Sequence, residues 1–196
     1  MTEKKKKPTN QPKKHEAITE DKELVFGWEE WVELPELGLP AVKAKVDTGA
    51  KSSSMHAFMI EPYGKPENKR VRFGVNPVPE RPDIIVYCSA ELIDQREITS
   101  SNGETELRYI IRTALRIGGQ EWPIEVSLTN RETMQYRMLV GRSAIRANII
   151  VDPNRSCAQG ELSPALYDKL PKANARRSGL KICLLSREPD SYSTRR

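Results

Sequence analysis

The sequence predicts an all-β protein, a closed barrel of short strands with one or two short helices. Runs that alternate apolar and polar residues, or that are apolar throughout, recur along the chain with turn signals between them roughly every eight to twelve residues. Helical signals are few and short, such as the segment that Ser163 opens as an N-cap with Pro164 at the first helical position. Strands must therefore build the core.

The basic charge of the chain is confined to its two ends. Residues 1–22 hold seven Lys, and residues 172–196 hold seven Lys or Arg. The middle carries 18 basic and 21 acidic residues, so the composition argues little for a nucleic-acid-binding domain. We predict a disordered basic tail over 1–22, one domain over 23–171, and a linker with a partial further element over 172–196.

Cellular location and redox state follow from composition. No run of eighteen apolar residues that could span a membrane occurs, and the Lys-rich N-terminus has no apolar stretch behind it. Three widely spaced cysteines, Cys88, Cys157 and Cys183, predict free thiols. We therefore expect a cytoplasmic protein with no membrane partner.

The domain is expected to begin with a β-hairpin. Residues 24–34 are rich in apolar and aromatic side chains and predict a strand, and residues 35–38 predict a turn. In the return arm, 41–46, successive residues alternate between two faces, which predicts a half-buried strand. That strand delivers the carboxylate of Asp47 directly into a turn.

The remaining strands follow with turn residues between them. Predicted strands cover residues 56–60, 71–75, 84–88, 97–99, 107–117, 122–128 and 149–151. The Pro-Tyr-Gly segment at 62–64 is expected to end the first of these. The segment 97–107 is predicted to be a hairpin, because Asn102-Gly103 at its tip is a strong turn signal.

The turn after the return strand, Asp47-Thr48-Gly49-Ala50, has the residues for a defined chemistry. The Thr48 hydroxyl can bond nearby backbone, Gly49 allows a second backbone or a substrate to approach closely, and Ala50 is too small to block that approach. An aspartate held in such a turn suits catalysis in which two carboxylates share one proton. Because Asp-Thr-Gly also occurs in ordinary turns, this segment alone leaves that alternative open.

A second informative stretch supports the first. Residues 137–140 form an apolar strand that ends in Gly141-Arg142, and residues 143–146 are compatible with one helical turn. Together, residues 45–57 (KVDTGAKSSSMHA) and 138–145 (MLVGRSAI) resemble the bacterial retropepsin-like family known as ATP-dependent zinc proteases. The resemblance implies a retropepsin-like barrel with aspartic peptidase activity.

The resemblance also implies a role for each matching residue. Asp47 is expected to be the catalytic aspartate. Thr48, Gly49 and Ala50 would form its supporting turn, and Gly141 and Arg142 the structural motif beneath it. No second Asp-[Ser/Thr]-Gly occurs in the sequence, so a twofold homodimer is needed to complete the pair of aspartates.

The resemblance also implies that the hairpin at 97–107 is the flap that closes over substrate in retropepsins. The flap tip would then lie at Ser101, Asn102 and Gly103. An exposed hairpin without a function is the alternative that the residues themselves leave open.

No cofactor is expected, despite the zinc and ATP in the family's name. The sequence has no H-E-x-x-H and no Cys-x-x-Cys, and its two histidines are His15, in the tail, and His56. We predict a structural role for His56. No glycine-rich phosphate loop is present. A zinc-dependent hydrolase and a non-catalytic, partner-binding barrel remain as alternative functions.

The C-terminal segment carries a second resemblance. Residues 180–187 predict a buried parallel strand, and with the polar residues after it this segment resembles the opening of RimK-type ATP-grasp glutamate ligases. The resemblance implies a truncated or split form of a protease–ligase fusion, or a protease that keeps a remnant of one. An ordinary extra strand is the alternative. The resemblance also implies partners, namely a RimK-type ligase and a peptide substrate such as the poly-glutamate tail of a ribosomal protein.

Four basic residues are expected near the cleft, where they could pair with substrate glutamates. These are Lys51, Arg96, Arg108 and Arg142. For each one, a solvated strand face or an ion pair within the fold is the alternative interpretation.

Overall fold

The structure, a computed structural model, describes residues 23–100 and 103–170, together with the backbone of 181–184. It contains twelve strands in the described segments: β1 (Leu24–Phe26), β2 (Glu29–Leu34), β3 (Leu39–Asp47), β4 (Ser53–His56), β5 (Phe58–Lys65), β6 (Asn68–Val75), β7 (Ile84–Thr99), β8 (Thr105–Ile117), β9 (Gln120–Thr129), β10 (Met138–Gly141), β11 (Ile149–Val151) and β12 (Lys181–Leu184). Short 3₁₀ helices cover Pro35–Leu37, Arg142–Ala144 and Pro164–Lys169. The predicted all-β class is confirmed.

Six strands close into a ring, and three more extend it. The pairing order is β2-β3-β10-β4-β9-β8, and β8 returns to β2 through the pair Glu33–Arg116, whose side chains also form a 3.0 Å ion pair. Beyond β8 the sheet continues through β7 and β6 to β5. The closed ring itself has no free strand edge, whereas the extension ends at the edge strand β5.

The first hairpin forms as predicted, but its first strand is divided in two. β2 and β3 pair antiparallel around a turn in which Gly38 adopts a φ of 66°. β1 separates from β2 at Gly27, where a Cβ would lie 2.5 Å from the Arg155 carbonyl oxygen. β1 instead pairs parallel with β11. A single strand over 24–34 was therefore wrong, because close packing against Arg155 bends the chain at that glycine.

The region after β4 also differs from the prediction. β5 runs through Pro62 and Gly64, which were expected to end a strand. β5 lies at the edge of the sheet, where a proline without an N–H does not break a ladder. β7 and β8 are longer than expected, with 16 and 13 residues, and together form the tall hairpin predicted at 97–107.

The core lies inside the ring and is closed by the last 3₁₀ helix. On β3, Val42, Ala44 and Val46 are buried while Lys45 is exposed, as the alternation predicted, but Ala41 on the opposite face is also buried. Tyr167 of the Pro164–Lys169 helix is completely buried, and its hydroxyl donates to the Ala41 carbonyl at 2.9 Å. This helix therefore holds the strand that leads to Asp47. 

The C-terminal strand has the opposite orientation to the one predicted. β12 pairs antiparallel with β7, with Lys181 opposite Tyr87 and Leu184 opposite Ile84. The predicted tails and the rest of the partial ligase-like element lie outside the described residues. Cys88 and Cys157 are free thiols, as predicted. None of the helices in the described segments is long and apolar enough to cross a membrane.

Candidate functional site

The two sequence motifs meet because their strands run parallel. β3 and β10 are paired side by side, with Val46 opposite Val140 and Asp47 opposite Gly141. Parallel strands end at the same edge of a sheet, so the turn after Asp47 and the Arg142–Ala144 helix leave that edge together. This register explains why two segments far apart in the sequence form one site.

The Asp47 carboxylate is fixed by the turn that follows it. Its Oδ1 accepts hydrogen bonds from the backbone N–H groups of Gly49 at 3.0 Å and Ala50 at 3.2 Å. A Cβ on Gly49 would lie 3.2 Å from that oxygen, so a glycine keeps this contact uncrowded. Oδ2 has no hydrogen-bond partner within the described residues. One oxygen is thus held and the other is available.

Arg142 binds the same turn from beneath. Its Nη1 donates to the carbonyls of Thr48 at 2.7 Å and Gly49 at 2.9 Å, and its N–H donates to the Ala50 carbonyl at 2.9 Å. The exposed Thr48 hydroxyl makes no hydrogen bond among the residues described, so the expectation that it ties the loop to nearby backbone does not hold in the single chain. The guanidinium of Arg142 supplies that tie instead.

Gly141 allows this close arrangement. A Cβ at Gly141 would lie 2.5 Å from the carbonyl carbon and oxygen of Ser52. Its N–H donates to the Ser53 hydroxyl at 3.1 Å. Only a glycine fits between the two segments without displacing backbone.

A cleft of about 780 Å³ opens above the carboxylate. We call it the Asp47 cleft. It is lined by Asp47, Gly49, Ala50, Lys51, Ser52, Ser54, Ile98, Thr99, Ser100, Glu104, Glu106, Arg108, Ser127, Thr129, Asn130, Arg131, Met134 and Leu139. Its volume is within the range typical of ligand-binding clefts.

The hairpin of β7 and β8 forms one wall of the Asp47 cleft. Near its tip the Ser100 N–H donates to the Glu104 carbonyl at 2.8 Å, and the Thr99 and Thr105 hydroxyls share a 2.9 Å hydrogen bond. Gly103 has a φ of 86°, a left-handed conformation that suits a hairpin tip. Ser101 and Asn102, predicted at the flap tip, lie outside the described residues.

The basic residues expected at the cleft divide into two groups. Lys51 and Arg108 line the Asp47 cleft. Arg96 does not, and it pairs instead with Asp94 at 2.5 Å and Glu125 at 2.8 Å. Arg142 binds the turn carbonyls, as described above. For Arg96 and Arg142, interactions within the fold are therefore the correct interpretation.

Sequence reasoning missed Arg131. It lies in the segment between β9 and β10 and lines the cleft together with Asp47. The sequence offers no signal for it, because it is one of 32 basic residues and belongs to no motif.

His56 has a structural role. It is 3% exposed, and its Nδ1 accepts the Arg131 N–H at 3.0 Å, which requires an unprotonated nitrogen. Burial foremost, and the nearby charge of Arg137, lower the pKa of His56 below its usual range. Within the described segments, no three His, Cys, Asp or Glu residues are grouped so as to hold a metal ion.

A buried acidic network links the site to the loops around it. Glu29 accepts hydrogen bonds from Ser156 and Tyr136 and pairs with Lys43 at 2.9 Å. Burial alone would raise the pKa of Glu29, but these hydrogen bonds outweigh it and lower the pKa. Since Lys43 lies on β3 and Tyr136 precedes β10, this network couples the Asp47 strand to the segment that carries Arg131.

Comparison with known proteins agrees with the fold. The family model described as retropepsin-like aspartic endopeptidase RimB matches residues 25–161. A crystal structure of a protein of unknown function (DUF785) from Legionella pneumophila is similar, with 30% identity and a TM-score of 0.59 over 69% of this chain and 98% of that one. The family description names an aspartic endopeptidase and mentions neither zinc nor ATP.

Curated relatives are longer than this chain. A "Probable alpha-L-glutamate ligase" of Shewanella pealeana is 44% identical over 177 residues, which is 90% of this chain and 39% of that protein. A protein of the same name in Parasynechococcus marenigrum is 42% identical over 89% of this chain and 38% of its own length. The chain thus spans about two-fifths of these relatives' length. With a family match over residues 25–161, the chain belongs to the RimB-like family of retropepsin-like aspartic endopeptidases.

Proposed function

We propose that this protein is an aspartic peptidase that works as a homodimer and shortens glutamate-rich peptide tails. The observation that carries the proposal is the half-satisfied carboxylate of Asp47 at the base of the cleft. Its Oδ1 is held by two backbone N–H groups, while Oδ2 has no partner among the described residues. A fixed carboxylate with a free oxygen, in a cleft walled by a hairpin, suits activation of a water molecule.

The proposed chemistry needs two such carboxylates. One of them, ionised, takes a proton from water as the water oxygen attacks the peptide carbonyl carbon. The other, protonated, donates its proton to the carbonyl oxygen. When the tetrahedral intermediate collapses, the C–N bond breaks and the leaving nitrogen takes the proton that the first carboxylate had accepted from water. A hydroxyl of the intermediate returns a proton to the second carboxylate, which restores the starting state of the pair. Two carboxylates at contact hold one proton between them because both cannot ionise cheaply.

A second copy of the chain would supply the second aspartate. Within the sequence, Asp-Thr-Gly occurs once. Thr48 and Gly49 are exposed in the single chain, so the turn is accessible to a symmetry-related copy. A twofold axis beside this turn would bring the two Asp47 side chains together, since an isologous contact places equivalent residues near the axis.

The names of the relatives support a substrate linked to glutamate ligation. Proteins named as probable alpha-L-glutamate ligases share this chain's sequence over 39% of their length. A peptidase joined to, or acting beside, such a ligase would reverse the addition of glutamate. Lys51 and Arg131 line the cleft and have no ion-pair partner among the described residues, so each is suited to bind a glutamate side chain of the peptide.

The test is cleavage of a synthetic peptide that ends in several glutamates, followed by mass spectrometry. We expect shortened peptides with the wild-type protein and at least a thousandfold slower cleavage with Asp47→Asn. Asp168→Asn, an exposed acid that pairs with Arg81, is the matched control and should cleave normally. Cleavage by Asp47→Asn at the wild-type rate would refute the proposal. Loss of wild-type activity with a chelator, restored by zinc, would favour the metal hydrolase instead.

A further inference from the structure

The segment that carries Arg131 has a fixed backbone. This segment, residues 130–137 between β9 and β10, is called the 130–137 loop. The Arg131 N–H donates to Nδ1 of His56 at 3.0 Å. The Arg131 carbonyl accepts from the Met134 N–H at 2.9 Å and from Arg137 Nη1 at 3.0 Å. Because both backbone groups are bonded, the position of Arg131 does not depend on its own side chain.

The Arg131 side chain is held at its base and available at its end. Its Nε donates to the Tyr136 carbonyl at 3.3 Å. Within the described residues, its two terminal nitrogens have no hydrogen-bond partner and no carboxylate within ion-pair distance. The side chain lines the Asp47 cleft, and the residue is only partly exposed. A guanidinium oriented this way can bind a carboxylate with two parallel hydrogen bonds.

Arg108, the neighbouring cation of the cleft, differs in this respect. Its Nε pairs with Glu106 at 2.8 Å, and its side chain is 12% exposed. Glu106 also accepts the Thr129 hydroxyl at 2.8 Å. Arg108 is therefore already paired with a carboxylate of the fold, whereas Arg131 has no carboxylate within ion-pair distance among the described residues.

The pKa of Arg131 also indicates that this side chain can bind an anion. Burial foremost, and then the charge of Arg108, lower the pKa of Arg131, while Asp47 opposes this effect. A positive charge that its surroundings disfavour is stabilised when an anion binds beside it. Because Arg131 and Asp47 line the same cleft, an anion bound at Arg131 would lie in the cleft that contains the reacting carboxylate.

We infer that Arg131 is a specificity-determining residue that binds the side-chain carboxylate of the substrate glutamate beside the scissile bond. This inference rests on the proposed function for its substrate class. The inference concerns one position of the substrate peptide. Asp47, Glu104 and Glu106 also line the cleft, and their negative charges balance the positive charges of its cations. The cleft is therefore not expected to attract every glutamate of the peptide, and recognition of a single glutamate should account for most of the selectivity.

Binding can be measured without cleavage. The full chain carrying Asp47→Asn would be titrated with a peptide that ends in several glutamates, and with peptides in which one glutamate at a time is replaced by glutamine. The same titrations would be made after adding Arg131→Gln, or Arg131→Lys, which keeps the charge but not the two-pronged geometry. Arg96→Gln is the matched control, because Arg96 lies on the β7–β8 hairpin with its partners outside the cleft.

We expect one glutamate position to dominate, with glutamine there weakening binding on the order of ten- to a hundredfold. Arg131→Gln should weaken binding of the all-glutamate peptide by a similar factor. Binding of the peptide that has glutamine at the dominant position should not change. Arg131→Lys should fall between the two, and Arg96→Gln should bind as the parent. Thermal melting of each variant would verify that it is folded.

Two results would overturn the inference. The first is equal weakening of the glutamate and glutamine peptides by Arg131→Gln, or no weakening at all. The second is the absence of any glutamate preference in the Asp47→Asn parent. In the cleaving enzyme, a shifted pH profile with equal losses on both peptides would mean that Arg131 acts on Asp47 instead. If binding depends on Arg131 but the wild-type protein cleaves nothing, the inference stands and the proposed function fails.

Discussion

Two carboxylates on neighbouring strands have opposite environments. Glu30 on β2 is completely buried, and its oxygens accept the N–H groups of Gly27 at 2.6 Å, Ala158 at 2.8 Å and Gln159 at 3.2 Å. Asp47 at the end of β3 is partly exposed, and only one of its oxygens is bonded. Both side chains accept hydrogen bonds from backbone N–H groups, but only Asp47 has an oxygen that can still accept a hydrogen bond from a ligand.

The difference separates a structural role from a chemical one. A buried charge is tolerated when hydrogen bonds satisfy both of its oxygens, and Glu30 meets that condition while joining the β1–β2 bend to the loop after β11. A carboxylate that is fixed on one side and open on the other can exchange protons with a ligand. By this criterion Glu30 stabilises the fold, and Asp47 serves the chemistry that we propose.

The largest expected effect is on stability, at Glu30. Replacing it in Glu30→Ala leaves the N–H groups of Gly27, Ala158 and Gln159 without their acceptor. We expect a loss of about 3–5 kcal/mol in the free energy of unfolding, measured by denaturant titration. Asp47→Asn should change it by less than about 1 kcal/mol. Equal losses for the two variants would contradict the distinction between them.

A smaller loss is expected where the two site motifs pack together. Gly141→Ala places a Cβ 2.5 Å from the Ser52 carbonyl, so the backbone must shift. We expect destabilisation of about 1–3 kcal/mol, with cleavage reduced as well because the Asp47 turn moves. Gly49→Ala is the comparison, since its Cβ would lie 3.2 Å from Asp47 Oδ1 and should cost less stability. A greater loss in Gly49→Ala would contradict the tight fit at Gly141.

The smallest effect is a pH dependence at His56. Its pKa is lower in the folded state than its usual value of 6.5, so the unfolded chain binds more protons in that window. This contribution to stability is complete above pH 6.5 and is lost as the pH falls through the lowered value, by at most about 1.4 kcal/mol per pH unit. Comparing unfolding at neutral and acidic pH for the wild type and His56→Gln would test it. A variant with the same pH dependence as the wild type would contradict it.

The sequence predicted local features of the fold better than distant pairings. The first hairpin and the Ser163 cap follow from residues close in sequence, and both are present. The position of Pro62 inside a strand depends on which strand lies at the sheet edge, which no local signal reveals. The antiparallel orientation of β12 likewise depends on its partner strand rather than on its own apolar run.

The candidate site shows the same limit. The motifs around Asp47 and Gly141 could be recognised separately, but their register comes from the parallel pairing of β3 and β10. Among the basic residues, Arg96 and Arg131 are indistinguishable in sequence. Arg96 forms ion pairs outside the cleft. Arg131 lies in the cleft because the loop that carries it is hydrogen-bonded to His56. Such contacts are set by tertiary packing.

The central claim is that Asp47 works only with Asp47 of a second copy. Mixing the two kinds of chain tests it directly. Wild-type protein would be equilibrated with a ninefold excess of Asp47→Asn, and formation of mixed dimers would be verified by mass measurement in solution. An equal excess of an unrelated protein is the control.

If both aspartates are required, random pairing leaves about one-tenth of the wild-type chains with a wild-type partner, and cleavage of the glutamate peptide should fall to about one-tenth. If mixed dimers form and each wild-type chain keeps its full activity, or if the active species is a monomer, one Asp47 suffices and the two-aspartate account is wrong.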